Sequence, residues 1–212
     1  MKVGSALVLC IAVVLAASAA VAQSESRYGI DGDRLIFDTD QVKGDLPASI
    51  TSGDVDPILA LLRKNPDISV LELNSSGGGF WAGRRLASIV MDFGLDTHVN
   101  GECASNCTVV FVAGAKRTMS RGSRIGFHQS VWLPEYTEEY YTDEAGAYGW
   151  ESPWDFASWI YKDTQQEVYE NLDFLLSRGV RGDFAIETLK AANDDMWYPS
   201  RKDMLSAGFL TE

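Results

Sequence analysis

An α/β fold of repeated βαβ units is predicted by two features of the sequence. Short apolar, β-rich runs alternate along the chain with helix-period segments, and most breaks between them carry Gly, Pro, Asn or Ser. Composition agrees: of 212 residues, 46% are hydrophobic and 23% charged, which excludes a disordered tail, a fibre and a coiled coil.

The elements follow in order. Residues 1–22 read as a signal peptide, with Lys2 as the positive start, an apolar run over 6–17 and Ala20, Val21 and Ala22 as the cleavage site. A retained anchor is the alternative, but the run is short for a membrane span. Leu9 stands before Cys10 where a lipoprotein site wants a small residue. The expected mature chain is therefore a single exported domain over 23–212, periplasmic or secreted.

Residues 34–37 form a strand candidate. Asp54 can cap a helix reaching Leu62, with apolar residues at 58, 59, 61 and 62, and Asn65 with Pro66 stops it. A strand over 68–73 runs into Asn74, Ser75, Ser76 and three glycines. A helix over 81–93 carries Leu86, Ile89, Val90 and Phe93 at helical spacing. A strand over 97–99, a turn at Gly101, an apolar helix over 105–113 and a strand over 123–128 come next. Two helices, over about 153–178 and 183–192, are expected near the end. Between them and the last strand, residues 131–159 form an insertion dense in acids and aromatics, read as a surface loop or as a lid or contact arm.

Charge narrows the partners. Eighteen Lys and Arg against 30 Asp and Glu leave a net charge of −12, which argues against nucleic acid, anionic membranes and polyphosphate cofactors. No cofactor is expected. Removing the leader removes Cys10 and leaves Cys103 and Cys107, four positions apart in an oxidising compartment. A metal half-site would need a companion Cys or His cluster, and His98 and His128 lie in different segments, so no metal is expected. The expectation is a disulfide across the turn that holds Ser105, with two buried free thiols as the alternative.

Three segments carry chemistry. Gly77, Gly78 and Gly79 lie between a strand and a helix, where bare N–H groups can face an anion; a tight turn is the plain alternative. Ser105 opens an apolar helix, as an N-cap or as a nucleophile supplied with the next N–H, that of Asn106. His128 ends a strand, as a packing residue or as a base.

These segments together resemble a known family. NSSGGGFWAG at 74–83, Ala104 with Ser105, AGAK at 113–116 and SRIGFHQ at 123–129 are similar to the proteolytic subunit of Clp protease, within the ClpP/crotonase superfamily. DMLSAGFL at 203–210 resembles that family's closing helix and strand. The resemblance implies a stack of βαβ turns (a β-β-α superhelix), assembled into trimers or rings. It implies Ser105 as nucleophile, His128 as general base, and Gly78 with Asn106 as oxyanion donors. The family's acid falls on Ala191 or Ala192, so Asp194 is expected to substitute, with Asn193 and Asp195 beside it. The function implied is an exported serine hydrolase, a peptidase for short or unfolded peptides. No ATPase partner is expected after export. A catalytically impaired scaffold for assembly or peptide binding is the alternative; an acyl-CoA enzyme and a dyad of Ser105 with Lys116 rank below it.

Overall fold

The computed structural model describes residues 27–41 and 47–212. The expected leader and its expected cleavage site lie outside the described residues.

Alternation of apolar and polar residues dictates the sheet. Strands β1 (Tyr28–Asp31), β2 (Arg34–Asp38), β3 (Val70–Ser75), β4 (Asp96–Ala104) and β5 (Arg117–Met119) lie in that order, with β6 (Arg124–Gly126) also on β4. The hairpin of β1 and β2 is antiparallel; every other pairing is parallel. Because side chains alternate in direction, one row of the register, Phe37, Leu73, Val99 and Met119, is buried. The neighbouring row, Ile36, Glu72, His98 and Thr118, is half-buried and mostly polar.

Helices α1 (Val55–Lys64), α2 (Phe80–Asp92) and α3 (Cys107–Val112) cover the apolar face, and their Ile58, Leu62, Leu86, Val90 and Phe111 complete the core. The first described residues are fastened by a buried ion pair: Arg27 Nη1 lies 2.8 Å from Asp54 Oδ1, both side chains 3% exposed. Burial alone would raise the Asp54 pKa, but hydrogen bonds from Tyr28, Arg27 and Thr51 outweigh it and hold the carboxyl below its usual range.

The mixed α/β class expected from the sequence is the one found, with shifted boundaries. The strand expected over 97–99 runs on to Ala104, because Gly101 adopts φ 119° and carries the chain through the expected turn. A Cβ there would meet the Asn74 side chain at 2.4 Å, so Gly101 cannot be replaced without moving Asn74.

The insertion over 131–159 is helical rather than a loop. Helix α4 (Pro134–Tyr148) turns at Gly149 into the long helix α5 (Pro153–Ser177). Around Trp132, Tyr140, Trp150, Phe156 and Trp159 these helices build an aromatic cluster, which contributes no residue to the main core. The far end of α5 is tied to the sheet-bearing body, for instance by Arg84 Nη2 donating to Asn171 Oδ1 at 3.0 Å. Beyond it come α6 (Gly182–Glu187) and α7 (Arg201–Ser206). No helix of the described residues is long and apolar enough to cross a membrane.

Candidate active site

Ligands of parallel α/β sheets sit beyond the carboxyl ends of the strands, and three chain segments emerge there on adjacent strands. The glycine run follows β3, Ser105 follows β4, and Phe127 with His128 follows β6. Register places them together: Ala104 pairs with Gly126, and Ser105 N–H donates to Gly126 O at 3.0 Å.

Ser105 is the one non-glycine with positive φ, 51°, among the described residues. A bulky L-residue resists this region, so the surroundings must impose it. Beyond the Gly126 bond, the Ser105 carbonyl accepts from Thr108 N at 3.0 Å and from Thr108 Oγ1 at 2.7 Å. On either side stands the disulfide: Cys103 and Cys107 are bonded, with Cα atoms 5.3 Å apart and both residues fully buried. Cys103 lies in β4 and Cys107 opens α3, so the cross-link closes over the turn holding Ser105. The helix expected from residue 105 therefore starts at Cys107. Ser105 itself is half-buried, and its Oγ has no hydrogen-bond partner among the described residues.

The glycines keep the space beside it open. A Cβ on Gly77 would stand 2.7 Å from Ser105 Cβ and 3.0 Å from Asn106 N. Ile50 clamps the run, its N–H donating to Gly77 O at 2.7 Å and its carbonyl accepting from Gly79 N at 2.9 Å. This pattern uses the groups on both sides of Gly78 N–H and leaves Gly78 N–H without an acceptor, as is Asn106 N–H, among the described residues. The Asn106 side chain donates to Gly79 O and to Phe80 O, fixing the start of α2 to the serine turn. Gly83 permits this, because a Cβ there would collide with Asn106 Nδ2 at 2.3 Å.

His128 is half-buried, and its Nδ1 lies 2.8 Å from the Gln129 carbonyl. A carbonyl only accepts, so this bond puts the proton on Nδ1 and leaves Nε2 as the basic nitrogen. Gln129 is in turn fixed: its N–H donates to Ala191 O at 2.9 Å and its Nε2 to Leu189 O at 2.8 Å. These two carbonyls are drawn off α6, which ends at Glu187 short of the expected residue 192. No hydrogen bond joins Ser105 to His128. The expected acid is not on the imidazole either: Asn193, Asp194 and Asp195 are exposed, none bonds to His128, and the Asp195 carboxylate accepts from Met196 N at 2.8 Å. The orienting Gln129 carbonyl is a backbone group, invisible in the sequence.

The serine–imidazole contact that does form lies elsewhere. His98 Nε2 is 2.9 Å from Ser120 Oγ, and its Nδ1 is 2.7 Å from Thr118 Oγ1. Burial, followed by the nearby Arg34, lowers the His98 pKa. With both nitrogens engaged and no glycine run beside it, this imidazole joins β4 to β5 and to the turn after it.

No protein-family model matches the sequence, and no curated protein does. Among solved structures, the fold is similar to that of a mutant ClpP1 from Listeria monocytogenes, at 15% identity and a TM-score of 0.55, over 77% of this chain and 85% of that one. That likeness supports a ClpP-like fold.

Proposed function

We propose that this chain is a serine hydrolase of the peptidase type, acting on short or unfolded peptides. Ser105 Oγ attacks the carbonyl, His128 Nε2 takes its proton, and the N–H groups of Gly78 and Asn106 receive the oxyanion. The observation that carries this reading is Ser105 itself: a strained residue between strand and helix, beside two uncommitted N–H groups, with a side-chain-free glycine opposite. Strain of this kind collects where a fold is constrained for function. The Gln129 carbonyl takes the place of the expected acid by fixing the imidazole tautomer, although it supplies no negative charge to stabilise the imidazolium. The chain is read as exported, which suits a disulfide, and as a homo-oligomer, on its likeness to the Clp family.

A second reading, a scaffold that binds peptides without cleaving them, is favoured by the missing Ser105–His128 hydrogen bond. One experiment separates the two. A fluorophosphonate probe should label the wild-type chain, fail on Ser105→Ala, and label His128→Ala at least about a hundredfold more slowly. Equal absence of label in all three proteins would leave the scaffold.

A further inference from the structure

Two apolar grooves, of 690 and 800 Å³, run along the α4–α5 hairpin and meet at Trp132. Tyr141, Pro153 and Phe156 line the first; Ile160, Tyr161 and Val168 line the second. Neither groove includes Ser105 or His128. Around them aromatic rings stand in solvent, Trp154 79% and Tyr161 70% exposed. Isolated exposed rings need no explanation, but a continuous apolar strip on a charged helix pair does.

The charge is equally uneven. Residues 131–177 carry eleven carboxylates and one cation, Lys162, so this quarter of the chain holds ten of its twelve net negative charges. Among the described residues no hairpin carboxylate is in an ion pair. Crowding is visible in one of them: burial, then Asp163 and Glu170, push Glu167 up to about 7. A single-sign surface left unneutralised repels anionic lipid and a second copy of itself, and attracts cations. Lysine and arginine have further reason to settle there, because cations stack on the faces of exposed Trp and Tyr rings.

The hairpin is also next to the serine site along the chain. Trp132 follows His128 by four residues, a span of at most about 14 Å. We propose that the α4–α5 hairpin is a docking surface for polypeptide substrates rich in lysine, arginine and apolar residues, held in its acidic, aromatic-lined grooves. That the occupant is a substrate rests on the hydrolase reading; that it is a cationic, apolar peptide rests on the hairpin alone.

Full-length Ser105→Ala protein and a fluorescein-labelled peptide of arginine and phenylalanine test this by anisotropy. Binding should weaken at least tenfold between about 50 mM and about 500 mM salt. It should weaken tenfold in the triple variant Glu135→Gln, Glu138→Gln, Glu139→Gln, whose exposed positions leave the fold unstrained. Trp154→Ala should weaken it about two- to fivefold, and a peptide with glutamate in place of arginine should not bind. Equal binding of the acidic and basic peptides, or an unchanged triple variant, overturns the proposal. So does a drop in oligomer mass in Trp154→Ala with no peptide bound to either protein, which makes the strip a contact between copies. Basic-peptide binding without fluorophosphonate labelling of the wild type removes the hydrolase and keeps the docking surface. Labelling with charge-blind peptide turnover and no docking does the reverse.

Discussion

The sheet-bearing body and the α4–α5 hairpin bury apolar surface by opposite means. In the body, buried rows of the sheet meet α1, α2 and α3 in one continuous core, and the buried ions are satisfied, Arg27 by Asp54 and Arg117 by the carbonyls of Gly208 and Phe209. In the hairpin, aromatic rings pack on one another, large faces stay in water, and no carboxylate forms an ion pair among the described residues. A body built this way is specified by packing and resists change. The hairpin's exposed, charged surface is suited instead to contact with something else.

Truncation of the core gives the largest contrast. Phe209 is fully buried and packs against Phe111, Phe127 and Phe184. Phe209→Ala should cost about 3–5 kcal/mol in urea unfolding. Trp154→Ala, at an exposed hairpin position, should stay within about 0.5 kcal/mol. Comparable losses at the two sites would end the distinction.

The buried Arg27–Asp54 pair comes next. Asp54→Ala strands a buried guanidinium and should cost about 3 kcal/mol. Because the Asp54 pKa is lowered in the folded state, its contribution is present above the usual carboxylate range and is lost as pH falls through the folded pKa. Wild-type stability should therefore drop steeply below about pH 4, and Asp54→Ala should flatten that limb. An identical acid limb in both proteins would remove Asp54 from the account.

The disulfide joins stability to the site. Its loop is short, with a sequence separation of 4, so Cys103→Ala with Cys107→Ala should lose about 2 kcal/mol. Fluorophosphonate labelling at Ser105 should slow by more than that loss of folded protein explains, because the turn would relax from its left-handed geometry. Unchanged labelling of the folded fraction would make the cross-link a stabiliser only.

These elements also show what the sequence discloses. Strands β2 and β3, helices α1, α2 and α5, and the turn positions of Gly78, Ser105 and His128 follow from periodicity and glycine placement, because one buried face imposes its period on the residues. Helix α4 was not legible: its rings face other hairpin rings on several sides, so no single apolar stripe marks it. Strands β1 and β5 are only four and three residues long, too short to show a period. The Gln129 carbonyl on His128 escaped for a different reason: backbone groups have no residue type.

The smallest effect bears on the hairpin's charge and runs opposite to that of Asp54. Glu167 is half-buried on α5; burial first, then Asp163 and Glu170, raise its pKa from 4.5 to about 7, while Arg84 opposes them. A carboxyl with a raised folded pKa carries no penalty below about pH 4.5, where both states are protonated. The penalty grows between pH 4.5 and about 7 and is complete above that. Hairpin stability should therefore fall as pH rises through this window, while the Asp54 contribution to the body is already complete there and is lost only on further acidification. Glu167→Gln removes the penalty and, after allowing for solvent screening, should raise α5 stability on the order of 1 kcal/mol at pH 8 and leave it unchanged near pH 4. Amide exchange protection along α5, corrected for intrinsic rates, reads this locally. The same gain at both pH values would mean that Glu167 acts by packing, and the opposed pH responses of the two regions would fall with it.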